Sequence, residues 1–252
     1  MKRLIGSIIL GGTLLAASVA GARDISFTQG LAQSQFKDLS REAGAALAYR
    51  NAAPAAPLGI TGFDLGVEVS IIDIKKDSQY WKAALNNDPS SYLYIPSLRA
   101  RKGLMFGIDV GGMYAYVPDS NVKLYGFEVS KAILEGSTLL PALGVRGSYT
   151  KLAGVNDLDV QTVGIDANIS KGFTIITPYA GAGLIWVDSK ATGNLAALSP
   201  AVNGGIPLSE EKLWLPRGFV GAKISILPFL KVTGEVEYAV RPIYTLKTAI
   251  DF

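Results

Sequence analysis

The chain has 252 residues, 24 basic and 21 acidic, with a formal charge of +3, too near balance to argue for nucleic acid or a strongly charged partner. It contains no cysteine and no histidine, which removes disulfides, thiol catalysis, thiolate metal sites and the commonest general base and transition-metal ligand. No enzymatic activity, no cofactor and no metal site is therefore expected.

Lys2 and Arg3 precede an apolar, small-residue run from Leu4 to Ala20, and Ala20-Gly21-Ala22 supplies the small residues of a cleavage site. This pattern predicts a secretory signal peptide over residues 1–22, with Arg23 opening the mature chain. The run is shorter than the roughly 20 residues of a spanning helix. No cysteine follows it, so lipoprotein processing is not indicated. Elsewhere charged residues interrupt every apolar stretch, which argues against helical spans. Without Lys2 and Arg3 the two signs of charge are almost equal.

Residues 23–58 differ in character from the remainder of the chain. Phe36, Leu39, Ala43 and Leu47 recur at spacings of three and four, while Lys37, Asp38, Arg41 and Glu42 lie mostly off that stripe. The spacing predicts an amphipathic helix. Pro54 and Pro57 end it in an extended linker.

From residue 59 to 252 the apolar period becomes two. Phe63, Leu65, Val67, Val69 and Ile71 alternate with Gly62, Asp64, Gly66, Glu68 and Ser70. Leu104 to Tyr116, Thr162 to Ser170 and Leu230 to Arg241 repeat the pattern. One apolar face opposite one small or charged face, over about ten residues at a time, is the signature of a transmembrane barrel. The strands also run longer than the ~5–6 residues usual in globular proteins.

Ten strands are expected, at 60–75, 91–101, 103–117, 121–135, 138–152, 157–171, 174–189, 211–226, 228–241 and 244–252. The even number puts both ends of the barrel on one side. Tight connections near residues 101–103, 135–139, 171–173 and 227–229 would be periplasmic turns. Those at 76–90, 118–121, 153–157 and 190–210 would be outer loops. The weakest point is the tight outer connection at Arg241-Pro242-Ile243-Tyr244. Tyr114, Tyr116, Tyr125, Phe127, Tyr149 and Trp186 fall near the outer strand ends, and Phe173, Phe229 and Phe252 near the inner ends, as interfacial belts would. The fold class is thus all-β: a transmembrane, antiparallel, up-and-down barrel of about ten strands with a short N-terminal amphipathic helix.

The final strand, YTLKTAIDF, alternates through Tyr244, Leu246 and Ile250 to a terminal Phe252. With a signal peptide, this resembles Gram-negative outer-membrane barrel proteins, and the resemblance implies recognition by the barrel assembly machinery. Phe36 to Ser70, FKDLSREAGAALAYRNAAPAAPLGITGFDLGVEVS, is similar to a group of uncharacterised proteobacterial barrels. In these a helix and a Pro-rich linker precede a first strand reading roughly GFDxGVE. That resemblance covers the N-terminal third and implies architecture without chemistry. A helix before the first strand also resembles the fatty-acid transporter barrels, whose N-terminal segment plugs the lumen. Those chains are longer, with more strands, and their binding residues have no counterparts here. Outer-membrane phospholipases, palmitoyltransferases and omptin proteases rely on a histidine that this chain lacks.

Asp64, Glu68, Asp109, Glu128, Arg146, Asp166, Arg217, Lys223, Lys231, Glu235, Glu237 and Arg241 are expected to line the lumen. Their near balance of sign favours an internal salt-bridge network over an ion-selective lining. Glu235 and Glu237 sit roughly 7 Å apart along one face, a spacing any lumen face would give. The helix, with Phe36, Leu39, Arg41, Glu42 and Leu47, is a candidate plug in which Arg41 and Glu42 pair with Glu235, Glu237 or Arg146. A helix is ~10 Å across and a ten-stranded barrel is narrow, so packing at the lower rim or in the periplasm is favoured over insertion.

Residues 190–210 read as an inward constriction, a mobile binding loop or an unstructured surface loop. In 76–90, SQYWKAALNN reads as one or two helical turns, with Tyr80 and Trp81 available to lipopolysaccharide or a hydrophobic ligand. The expected partners are outer-membrane lipid, lipopolysaccharide and, during biogenesis, the assembly machinery. The expected function is porin-like passive transport of a small or hydrophobic solute, with the helix as candidate gate. The alternative is a closed barrel that anchors the envelope or displays loops.

Overall fold

The computed structural model of the protein describes residues 24–85, 89–117 and 120–252. The expected signal peptide lies outside the described residues. Ten strands form the wall: β1 (Phe63–Asp73), β2 (Tyr92–Gly103), β3 (Ile108–Tyr116), β4 (Lys123–Leu134), β5 (Ala142–Ala153), β6 (Leu158–Ser170), β7 (Ile176–Ala191), β8 (Glu211–Ser225), β9 (Leu230–Tyr238) and β10 (Pro242–Asp251). Each pairs antiparallel with its chain neighbour, and β10 pairs with β1, so the sheet is a closed barrel. Closure leaves no free sheet edge along most of the wall. Phe252 completes the β1–β10 seam by exchanging backbone hydrogen bonds with Phe63 (3.0 and 3.2 Å). The two ring centres lie 4.9 Å apart, with the planes tilted by 36°.

Long connections gather at one end, called here the upper end, and the short turns and C-terminus at the other. The upper connections carry two helices, α2 (Gln79–Ala84) and α3 (Gly193–Val202), while α1 (Gln33–Leu47) precedes the wall. Strand positions agree with the alternation to within a few residues, apart from the β2–β3 turn. It lies at Leu104–Gly107, not at residues 101–103. Leu104 and Phe106 continue the apolar alternation, yet Phe106 (φ 63°) and Gly107 (φ 66°) take left-handed conformations. Extended pairing cannot pass through such a pair. Phe106 projects from the lower end, 78% exposed. The doubtful connection near Arg241 is a real turn, with Pro242 as the first residue of β10, where a missing N–H is tolerated.

Alternation turns one face of every strand outward. Leu65, Leu98, Phe127, Val129, Ile165, Leu184, Val220, Val236 and Leu246 are exposed there, a far larger apolar surface than a water-soluble monomer shows. The Tyr114 and Tyr125 rings meet on this outer face with centres 5.2 Å apart and planes tilted by 43°.

The expectation that the helix packs at the lower rim is corrected by the structure. The described residues begin at the upper end, where Ile25 exchanges 2.9 Å hydrogen bonds with the Asn121 side chain. Phe27 N there donates to Asp157 (2.9 Å). Helix α1 then descends inside the barrel. Residues 48–53 cross its middle fully buried, and Leu58 N reaches Asp109 near the lower end (3.1 Å). Gly59, at φ 78°, turns the chain back into β1. The helix fits a narrow barrel because it is thin where it meets the wall. Its last turns read Ala43-Gly44-Ala45-Ala46, and a Cβ on Gly44 would come within 2.4 Å of a Val187 methyl.

Candidate functional site

The lumen has two layers. In the upper half the inward side chains are apolar: Ile72, Ile95, Leu124, Leu152, Val160, Ile185, Val187 and Leu215 are buried against Phe36, Leu39, Ala43 and Leu47 of α1. The middle of the lumen is charged, and the segment Tyr49 to Ala52 passes through that layer.

Four consecutive backbone carbonyls of this segment are each held by a different basic side chain of the wall. Arg217 donates to Tyr49 O (2.8 Å), Arg146 to Arg50 O (2.6 Å), Arg99 to Asn51 O (3.3 Å) and Lys247 to Ala52 O (3.4 Å). The same bases pair with wall acids. Arg217 and Arg146 share Asp166 (each 2.6 Å), Arg99 meets Glu68 (2.7 Å) and Lys247 meets Asp64 (2.7 Å). Arg101 joins Asp109 (3.0 Å) and Glu128 (2.9 Å).

The segment answers in kind. Arg50 reaches Glu237 (2.5 Å) and donates to the last carbonyls of α1, Ala45 O and Ala46 O (2.6 Å each), where orphan acceptors and the dipole favour a cation. Ala52 N donates to Glu235 (2.9 Å), and Ala52 takes φ 41°. The guanidinium carbons of Arg99 and Arg146 lie 4.7 and 5.7 Å from the Tyr49 ring centre, a cation–π contact. A non-helical, non-strand segment buried this deeply must find partners for its backbone. The wall supplies them while most of its own charges are paired, and Arg50 of the segment pairs Glu237, as buried ions require.

Of the residues expected in the lumen, Asp64, Glu68, Asp109, Glu128, Arg146, Asp166, Arg217, Glu235 and Glu237 are buried inside it. Three lie elsewhere. Lys223 is at the lower mouth with Asp251 (2.8 Å). Lys231 is at the lower end of β9, donating to Pro228 O in the turn below (2.8 Å). Arg241 is at the upper end, 3.7 Å from Glu42 and 3.8 Å from Asp73.

The expected pairing of the helix charges with the lumen is also corrected. α1 runs downward, and most of it, Arg41 and Glu42 included, lies above the charged layer. Arg41 is exposed, and Glu42 accepts from Trp81 Nε1 (2.6 Å), Tyr80 Oη (3.1 Å) and Lys75 N (3.2 Å). Arg50, just beyond the helix, makes the contacts assigned to Arg41.

Sequence reasoning missed Arg50, Arg99, Arg101 and Lys247. Arg99 and Arg101 alternate with Leu98 and Ala100, and Lys247 with Leu246 and Thr248, so the period-two signal was available for these three. Nothing comparable marks Arg50 beyond its being the one charge among apolar and small residues.

The upper connections hold the N-terminal segment in place. Tyr80 and Trp81 face inward, buried, and not outward toward a surface ligand. Burial, with the Glu42 carboxylate beside it, pushes the Tyr80 hydroxyl up to about 12. Residues 193–202 form α3, not an unstructured loop. Its Ser199 Oγ accepts from Leu31 N (3.1 Å), and Asn203 accepts from Gln33 N (3.2 Å).

Two cavities adjoin the plug. One, of about 110 Å³, is apolar and lies between α1, α2 and the upper parts of β2, β5 and β6. The other, about 340 Å³, is polar and opens at the lower mouth beneath Pro54 and Pro57.

The fold and this clamp define a closed, ten-stranded antiparallel barrel with an internal plug. No protein-family model matches the chain, and no curated protein matches it. Solved structures similar to it include the N-terminal β-barrel domain of Pseudomonas aeruginosa OprF (12% identity, 77% of this chain and 99% of that one, TM-score 0.35). The KdgM porin is similar at 12% identity over 76% of this chain and 99% of its own, TM-score 0.36. OprG from Pseudomonas aeruginosa is similar at 11% identity over 79% and 97%, TM-score 0.34. At these TM-scores the likenesses carry no argument, and the fold rests on the strand register of this chain.

Proposed function

We propose that the chain is a bacterial outer-membrane β-barrel whose N-terminal segment, residues 24–58, gates passive passage of a small or hydrophobic solute. The outward apolar face supports the location, because hydrocarbon is the solvent that such a surface suits. Tyr244, Leu246, Ile250 and Phe252 all point outward and exposed, which fits their proposed reading by the assembly machinery. Membrane lipid and, at the upper end, lipopolysaccharide are the proposed surroundings.

One observation carries the gating. The plug fills the lumen but pairs with no wall strand; side chains and upper connections hold it. It is thus separable from the wall, whose backbone ladder does not depend on it. The largely paired charges around it favour a second reading, a permanently closed barrel that serves the envelope structurally.

Conductance in planar bilayers separates the two. The full chain is expected to stay closed for most of the record. A chain lacking residues 24–58 is expected to give discrete, long-lived openings. Both proteins should first show heat-modifiable migration on a denaturing gel. Silence in both would leave the structural reading standing and remove the gate.

A further inference from the structure

We infer that one side of the lower rim, from β2 to β6, binds the phosphate headgroups of anionic glycerophospholipids through Lys102, Lys131 and Lys171. This rests on the proposed membrane location and deepens it, naming the lipid class and the side of the barrel it occupies.

Alternation places all three side chains on the outer face. Lys102 shares the parity of the exposed Leu98 on β2, Lys131 that of Val129 on β4, and Lys171 that of Ile169 on β6. The ladders set Lys102 opposite Val110, and Lys131 between Ile108 and Val145. The strip therefore alternates ammonium and aliphatic side chains. An ammonium stands on every second strand, about 10 Å apart around the wall. The opposite side of the lower rim turns Ile176, Ile224, Ile250 and Phe252 outward instead.

The lower turns hold each ammonium in place. Lys171 Nζ donates to Ser137 O, Thr138 O and Leu140 O (3.0, 2.7 and 3.3 Å). Lys102 Nζ donates to Ile60 O and Gly62 O (2.6 and 3.1 Å), and Lys131 Nζ to Phe106 O. Carbonyls fix the charge without neutralising it. Among the described residues the lysines in ion pairs are Lys151, Lys212, Lys223 and Lys247, and the three rim lysines are outside that set. The acid exposed on this side of the rim is Glu135, one against three. An ammonium has three donors, so Lys102 keeps one and Lys131 two for a phosphate oxygen, while Lys171 adds its charge.

The surroundings select the partner. Met105, Phe106, Leu139, Leu140 and Phe173 are exposed in the turns beside these lysines, where turns in water favour Gly, Asn and Asp. Acyl chains suit those tips and the valines of the strip. Lysine stems follow apolar surface and carry their heads to the headgroup level, where an anionic leaflet attracts them. A soluble acidic partner cannot reach a strip that the bilayer already covers.

The two sides of the rim make the site testable. The full chain carries one fluorophore, on Val145→Cys beside Lys131 or on Ile224→Cys across the barrel. It is placed in phosphatidylcholine vesicles holding a trace of acyl-nitroxide phosphatidylglycerol or of phosphatidylcholine with the same nitroxide. At Val145 the phosphatidylglycerol is expected to quench at about one-fifth of the concentration that phosphatidylcholine needs. At Ile224 the two are expected to be equal. Lys102→Gln, Lys131→Gln and Lys171→Gln together should erase the difference, and arginine at the same positions should keep it. If the triple variant fails to fold, Lys131→Gln alone carries the comparison. Salt at about 1 M, which shortens screening to ~3 Å, should also erase it. Equal quenching by the two lipids at Val145 overturns the headgroup site and leaves the membrane reading intact, and so does an equal preference at Val145 and Ile224. No quenching by either lipid at either position sinks the membrane reading itself.

Discussion

Replacing Asp166 by alanine is expected to lower stability by about 3–5 kcal/mol, the cost of removing one partner from a buried ion pair. Asp166 receives four hydrogen bonds, two from Arg146 and two from Arg217. Its loss leaves two buried guanidinium groups facing each other. Both also hold the plug, at Arg50 O and Tyr49 O, so the plug should loosen with the wall. The check is the urea midpoint for loss of the heat-modifiable band in vesicles, together with the rate of proteolysis within residues 24–58. Both should move, and Asp166→Asn should move them less. A loss below about 1 kcal/mol would resemble an exposed ion pair. Water would then reach the charged layer, and the lumen would be open where the structure has it closed.

The adjacent residue tests the opposite face. Ile165 points outward, 61% exposed. Ile165→Arg is expected to cost about 2–4 kcal/mol if that face meets the middle of the hydrocarbon. Against water the same exchange falls within about 0.5 kcal/mol. The same urea midpoint reads it. Neighbouring positions thus carry two large penalties of different origin: an unpaired charge inside and a charge in lipid outside.

The alternation that separates Ile165 from Asp166 is also why the wall was legible in the sequence. Period-two patterning survives at every strand, because each turns an apolar exposed face outward and a second face toward a charged or filled lumen. Leu104 and Phe106 show its limit, since alternation does not register a left-handed turn. The plug was legible as a helix and illegible as an insertion. A generic helix diameter of ~10 Å does not apply here, because the contact with Val187 depends on one glycine, Gly44. The clamp was half legible. Wall acids and several bases followed from alternation, but Arg50 lies in a segment with no period, and its role depends on how far α1 descends. The direction of α1 also decided the fate of Arg41 and Glu42, and the spacing of apolar residues contains no information on direction. In α3, Leu195 and Ser199 are buried by contact with an N-terminal segment distant in sequence, which local composition could not indicate.

The central claim is that hydrocarbon surrounds the outer face of this barrel. The chain has no native cysteine, so single cysteines at Ile165, Val220 and Leu246 accept a polarity-sensitive fluorophore without competing sites. In vesicles the account predicts blue-shifted emission at all three, quenched by a lipid-borne nitroxide and untouched by aqueous iodide. Iodide quenching at all three, with the nitroxide silent, would contradict it.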